Sequence, residues 1–353
     1  MGMIVDVHTH LWERPEQLGD GTAQRLKAMM VHEPINASGW AYDQAMKAVD
    51  ASIILGFESQ YLGASISNEQ IANYVKRRPN KYLGFAGIDP LASDWIDKLK
   101  QAVDLGLVGV CFSAAAQNCH PTHTRAMYLF EKCEELGLPV LHHPGTHMAT
   151  AAVMAFSQPF LFDEIGRTFP KLKLIFSQLG HPWVDEAILL LSKHPNFYAD
   201  LSDISSRPWQ LYNTLLTAVQ QNVTDSLLLG SDFPFSSPED VIYNLYTVNH
   251  FTKGTSMPTI PRHVLSSIIE RDTLAVLGLS GKIQLPERSE RMLDESDQTK
   301  PESESEQRQK AKVVVTRIRA SDEPDSENHD DPDTPDDPDD PGAPGAGRLV
   351  DRN

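Results

Sequence analysis

The sequence predicts an α/β fold, a (β/α)8 TIM barrel followed by a disordered acidic tail, and three observations predict it. Eight short apolar runs alternate with helical stretches over residues 1–285, which is the pattern of parallel βα units. A barrel of this kind takes roughly 250 residues, which that span supplies. Polar side chains able to bind a metal stand directly after several of the runs, where a barrel collects its reactive groups. A doubly wound open sheet is the structural rival, but no Gly-x-Gly-x-x-Gly turn follows the first strand.

The first strand runs from Met3 through Ile4-Val5 to Asp6-Val7-His8-Thr9-His10. Alternation along a strand sets His8 and His10 on one side, roughly 7 Å apart, with Val7 and Thr9 on the other. A polar loop holding Trp12 follows, then a helix over Ala41–Met46. Ala51–Phe57 is the second strand. Ser67 and Asn68 open the next helix as caps. Tyr82–Ile88 is a strand, Ser93–Leu105 a helix, and Leu107–Phe112 the fourth strand. The helix Thr124–Leu136 is stopped by Gly137. Pro139–His143 is the fifth strand, Pro159–Thr168 a helix, and Leu172–Phe176 the sixth strand. Val184–Lys193 is helical, Phe197–Leu201 is the seventh strand, and Trp209–Gln220 is helical. Leu227–Gly230 is the eighth strand, and a helix over Pro261–Leu277 ends the barrel.

Composition excludes several function classes. Of 353 residues, 41% are hydrophobic, enough for a sizeable core. The net charge is −17, of which residues 287–353 carry −10 with 20 acidic and 10 basic side chains. The remainder is mildly acidic, so a nucleic-acid surface is not expected. No apolar run reaches the length of a membrane span, and no charged-then-apolar leader pattern opens the chain. Three cysteines, Cys111, Cys119 and Cys133, with no Cys-x-x-Cys, point to free thiols and a cytoplasmic location.

The strand ends carry the chemistry. The first ends in His8 and His10, the fifth in His142-His143-Pro144-Gly145, the sixth in Ser177-Gln178-Leu179-Gly180-His181-Pro182, and the eighth in Gly230-Ser231-Asp232-Phe233-Pro234. Two histidines, a third from the adjacent pair 142/143, and a carboxylate can converge on one divalent ion. Such a set suits Zn2+ first and Mn2+ second, with a position left open for water. Asp6 is placed to brace the site. Each piece has a plainer explanation: Asp232 as a helix cap, and Gly180-His181-Pro182 as a turn.

These stretches, together with Phe169-Pro170-Lys171-Leu172-Lys173-Leu174-Ile175, resemble the amidohydrolase-related family in composition and order. That metal-dependent barrel group includes aminocarboxymuconate-semialdehyde decarboxylase and its relatives. The resemblance implies that His8, His10, His143 and Asp232 bind the metal. It favours His143 over His142 because the family's ligand lies four residues after the proline of that strand.

The chain departs from the family at the sixth strand end. A histidine that touches the metal or its water is usual there, and this chain has Gln178. Glutamine cannot take a proton near neutral pH. His181, three residues on, is a candidate substitute, and Gln178 is a candidate neutral hydrogen-bonding group. Hydrolysis, with Asp232 as metal ligand and proton shuttle, tolerates that replacement better than decarboxylation does. A hydrolase is therefore the first expectation, with a carboxy-lyase acting on an aromatic or unsaturated acid as the alternative. A catalytically impaired binding or scaffold protein is a third reading from another class. Trp12 is a candidate floor for a small-molecule substrate, and Arg207 a candidate clamp for its carboxylate. A homodimer is compatible with the fold class, and any partner of the tail is unspecified. From residue 286 onward Glu, Asp, Ser and Pro dominate, ending in an acidic Pro-Asp repeat over 330–341. Such a segment cannot bury enough apolar surface to order itself.

Overall fold

A computed structural model of the chain describes residues 2–29, 35–145 and 149–283. The acidic segment 286–353, including the strand-like stretch 312–319, lies outside the described residues. Strand β1 (Val5–His10) is followed by α1 (Asp20–Met29) and α2 (Gly39–Ala45). Next come β2 (Ala51–Leu55) and an antiparallel hairpin of β3 (Phe57–Ser59) and β4 (Ala64–Ile66). From there strands and helices alternate: α3 (Asn68–Val75), β5 (Tyr82–Gly87), α4 (Trp95–Asp104), β6 (Gly109–Phe112) and α5 (Thr124–Leu136). They continue through β7 (Val140–His142), α6 (Asp163–Thr168), β8 (Leu174–Phe176), α7 (Val184–Lys193), β9 (Phe197–Asp200), α8 (Pro208–Gln220) and β10 (Leu227–Leu228). Helices α9 (Pro238–Thr247), α10 (Arg262–Ile269) and α11 (Thr273–Val276) complete the described chain.

Eight strands form one parallel sheet in the order β1-β2-β5-β6-β7-β8-β9-β10. The sheet curls until the segment after β10 meets β1. Val7 N donates to Leu229 O at 3.0 Å, His10 N to Phe233 O at 2.8 Å, and Asp232 N to His8 O at 2.8 Å. With helices around it, this is the TIM barrel. The strands are buried along their whole length because helices cover their outer side and side chains fill the inside. Val5, Ile53, Phe85, Leu141, Ile175 and Leu228 belong to the interior core, and Leu274, Leu277 and Ile283 pack against the same cluster. Ile54, Val110, Val140, Leu174 and Phe197 join the outer core with the helices. Helix α4 shows how that layer is built: Trp95, Leu99 and Ala102 recur at helical spacing on its buried face. Among the described residues, no helix is long and apolar enough to cross a membrane.

Several expectations need local correction. Ser67 precedes α3 but makes no side-chain cap, and Asn68 instead bonds Gly87, donating to its carbonyl and accepting from its amide. The second strand stops at Leu55, and Phe57 begins the hairpin. Helix α1 fills what reads as a polar loop. The helix expected over 261–277 is two, α10 and α11, interrupted between Ile269 and Thr273. Asp232 caps no helix; Ser237 caps α9, accepting from Asp240 N.

Candidate metal centre

A β-bulge in β1 aims the first two histidines. Its register against β2 shifts between Asp6 and Thr9. Strict alternation would put Val7 on the side opposite His8 and His10. Val7 packs in the interior core with Val5, and after the register shift His8 and His10 also turn inward, to the barrel mouth. An extra residue in a strand re-aims side chains in this way. Thr9 faces outward, donating to Ile53 O at 2.7 Å and lying 2.8 Å from Tyr42 Oη.

The histidine pair at the end of β7 is resolved by the same two-residue period. Leu141 points inward, so His142 points outward into an aromatic box of Phe112, Phe162 and Phe176. His143 is then the inward member. Its ring centroid lies 5.2 Å from that of His8 and 5.3 Å from that of His10. His142 has neither ring nitrogen hydrogen-bonded, and burial pushes its pKa down to about 3.

Asp232 arrives from the other side of the barrel seam. Its backbone is in the left-handed region, φ 58°, unusual for a residue with a Cβ. Gly230 permits this approach, since a Cβ there would lie 2.8 Å from Asp200 Cβ and 3.0 Å from His8 Cβ. One ligand atom from each of His8, His10, His143 and Asp232 lies within 4.8 Å of all the others. Asp232 Oδ1 sits 3.4 Å from His8 Nε2 and 3.2 Å from His10 Nε2, and the two Nε2 atoms are 3.1 Å apart.

Two carboxylates fix this arrangement from behind. His8 Nδ1 donates to Asp200 Oδ2 at 3.1 Å and lies 2.9 Å from Ser202 Oγ, which itself donates to Asp200 Oδ1. With Nδ1 committed as donor, Nε2 presents its lone pair to the cluster. Asp6 works through the backbone rather than a ring: its Oδ1 accepts from His8 N at 3.1 Å and Ser231 N at 3.0 Å. It thereby locks the histidine strand to the residue before Asp232. Its other oxygen has no hydrogen-bond partner, and burial raises its pKa to about 7.

The electrostatics fit a cation. Burial opposes charge on His8, yet Asp200 and Asp232 outweigh it and raise the ring's pKa to about 9. Burial lowers that of His10 despite its Asp232 contact, and lowers that of His143 strongly with help from the charge on His8. Burial also disfavours ionised Asp232, but His8 and His10 hold its carboxyl well below the usual range. Asp200 and Asp232 thus favour a positive charge at His8, which a proton on Nε2 or a cation in its place would supply. Asp232 Oδ1 is buried with no hydrogen bond of its own. A divalent ion answers both features: it satisfies Oδ1 and takes the Nε2 lone pairs while Nδ1–H still reaches Asp200.

The remaining candidates divide. Gln178 enters: its Nε2 donates to Asp232 Oδ2 at 2.9 Å, and its backbone N donates to Asp200 Oδ1 at 3.0 Å. Trp12 enters, walling a cavity of about 80 Å3 beside His10 and His143. His181 and Arg207 do not line that cavity. They face each other, Nη1 to Nε2 3.0 Å, with Arg207 also paired to Asp203. His120 and His123 serve local turns, bonding Thr122 and Arg125 N; His147 lies outside the described residues. From the sequence, Asp200 stands beside Asp203 only as a candidate supporting group near the seventh strand; Ser202 was passed over, as were Phe57, Leu62 and Phe235 in the cavity wall. Asp200 had a signal, being a carboxylate at the C-terminal end of a barrel strand.

Three solved structures show the same fold. An uncharacterised TIM-barrel protein from Bordetella bronchiseptica superposes with a TM-score of 0.61 at 19% identity, covering 79% of this chain and 99% of that one. A probable 2-pyrone-4,6-dicarboxylic acid hydrolase from Acinetobacter baumannii gives 0.56 at 14%, covering 78% and 99%. A 2,6-dihydroxybenzoate decarboxylase from Rhizobium gives 0.55 at 16%, covering 80% and 100%. No curated protein sequence matches the chain. The family model described as amidohydrolase matches residues 5–254, from the first histidine strand to beyond Asp232. Family and donor cluster together support a divalent metal, and the chain belongs to the amidohydrolase family.

Proposed function

We propose that the chain is a metal-dependent hydrolase in which His8, His10, His143 and Asp232 hold one divalent cation, with Zn2+ favoured over Mn2+ by three imidazole donors. The observation that supports hydrolysis is the Gln178–Asp232 hydrogen bond. It leaves Asp232 as the proton-carrying group among the residues gathered around the donors. A bound divalent cation would supply Lewis acidity, bringing the pKa of water to about 7 and polarising an acyl oxygen. Asp232 takes the proton from water and passes it to the leaving group. Gln178 carries no proton in this scheme; it keeps Oδ2 oriented and the carboxylate ionised. Asp200 and Ser202 hold the His8 ring, and Trp12 provides the wall against which the substrate rests. His181 and Arg207 bond each other, so no step is assigned to them.

A carboxy-lyase is the second reading, and the aromatic wall beside the donors favours it. One of the similar structures is named as a decarboxylase of 2,6-dihydroxybenzoate, and another as a hydrolase of a pyrone dicarboxylic acid. Here Asp232, ionised at rest, would first take a proton from a substrate hydroxyl or water and then pass it to the ring carbon, the carbon–carboxylate bond breaking to release carbon dioxide. Metal-loaded protein incubated with aryl esters, lactones and amides, and separately with aromatic carboxylic acids, distinguishes them. Acid release lost in Asp232→Asn supports the hydrolase. Carbon dioxide release without hydrolysis replaces it with the carboxy-lyase, and protein that takes up no metal favours the scaffold reading.

A further inference from the structure

The β3–β4 hairpin, which the barrel pattern does not require, forms one wall of the cavity at the metal ligands. Phe57 begins it and Leu62 lies in its turn, and both line the cavity together with Trp12 and Phe235. The Trp12 and Phe235 rings stand 6.1 Å apart, and Phe235 is 42% exposed although it is a large apolar side chain. Leu18 and Ala149 add to the apolar surface. No Lys or Arg lines this cavity among the described residues. Arg207 is engaged by Asp203, His181 and Gln210.

The hairpin is fastened in place. Ser59 Oγ donates to Ala116 O at 2.7 Å and Gln117 Nε2 to Glu58 O at 2.7 Å, while Asp89 Oδ2 accepts from Gln60 N at 2.8 Å. Gly19, at φ 87°, lets the loop before α1 touch the turn: a Cβ there would lie 2.4 Å from Leu62 O. The wall is therefore a fixed feature with which a ligand must match in shape and charge.

We infer that the β3–β4 hairpin is the specificity element, and that it restricts the ligand to a single uncharged ring whose one anionic or carbonyl group lies at the metal. This inference rests on the metal-centre reading given above. The cavity, about 80 Å3, is small beside the roughly 300–1,000 Å3 typical of drug-sized sites, so it encloses a ring-sized group. One carboxylate is matched at the donors, where a divalent ion less the charge of Asp232 leaves one positive charge. A second carboxylate on the ring would lie against Phe57, Leu62 and Trp12 with no cation, and an unpaired buried charge is strongly disfavoured.

Calorimetric titration of full-length protein carrying a measured equivalent of Zn2+ or Mn2+ tests this, with benzoate and isophthalate as probes. Benzoate is expected to bind, and isophthalate to bind at least tenfold more weakly. Leu62→Arg is expected to raise isophthalate affinity at least tenfold relative to benzoate, and Phe57→Arg serves as the second variant should the first fail to fold. Isophthalate binding as tightly as benzoate, or no benzoate binding to metal-loaded protein, overturns the inference while leaving the metal centre standing. Protein that takes up no metal overturns the metal-centre reading, and the inference with it.

Discussion

Gln178 Nε2 donates to Asp232 Oδ2 across 2.9 Å, and both residues hold left-handed backbone conformations, φ 55° and 58°. Non-glycine residues adopt that region at a cost, and they do so mostly where a site demands it. The two residues end adjacent halves of the donor circle, Gln178 after β8 and Asp232 after β10. Their bond turns Oδ1 toward the imidazoles and holds Oδ2 away from them.

Gln178→Ala should therefore leave the metal in place but slow turnover by about 10- to 100-fold, the usual scale for losing a group hydrogen-bonded to a metal ligand. Metal content and kcat measured on the same preparation check this. Unchanged kcat would show that Asp232 needs no such orientation.

Asp200 holds the His8 ring through Nδ1, and it also accepts from Gln178 N and Ser202 N. Asp200→Asn should weaken metal affinity by about 10- to 100-fold, as loss of a carboxylate behind a ligating histidine generally does. Competition with a chelator of known affinity measures it. An affinity equal to that of the unaltered protein would place the support of His8 elsewhere.

His142 is 2% exposed, walled by phenylalanines, with neither ring nitrogen hydrogen-bonded. Replacing it by Leu removes an unsatisfied buried donor, whose cost is about 1–3 kcal/mol. His142→Leu should keep or raise the Tm and retain full metal content. A fall of several degrees would mean that the imidazole bonds the backbone of Phe112 or Ser157 after all.

Asp163 joins α6 to the end of α7. Lys193 Nζ reaches Oδ1 at 2.5 Å, His194 Nε2 the same oxygen at 2.8 Å, and Arg167 Nε the other at 3.2 Å. Lys193, His194 and Arg167 together hold its pKa down at about 2. Because the folded-state value lies below the unfolded one, this stabilisation is present above about pH 4 and disappears as pH falls toward 2. The group is largely solvated, so its worth is about 1 kcal/mol or less. Denaturant midpoints of Asp163→Asn should fall slightly below the unaltered protein at pH 7 and converge with it near pH 2. A constant difference across that range would contradict the assignment.

The barrel was legible because each strand buries both faces, leaving an apolar run that survives uncertainty at its ends. The residues that meet at the mouth were legible as motifs, since His8, His10 and Asp232 sit directly at strand ends. His8 and His10 share a side as alternation implies, but the bulge in β1 puts Val7 on that side as well, which two-residue alternation alone does not foresee. The choice between His142 and His143 follows from Leu141 pointing inward, a matter of packing. The role of Asp200, and the hairpin residues Phe57 and Leu62 altogether, were not legible for a different reason. They act through contacts with residues more than forty positions away, or through a wall that forms only when the hairpin folds over the mouth. Arg207 and His181, plausible one by one, find each other in the folded chain.

The metal content of purified protein, set beside that of His8→Ala and Asp232→Ala, tests the central claim most directly. About one divalent ion per chain is expected in the unaltered protein and almost none in either variant, with both variants still folded by circular dichroism. An unaltered protein that takes up no ion from Zn2+ or Mn2+ solution, or variants that bind as well as it does, would contradict the account.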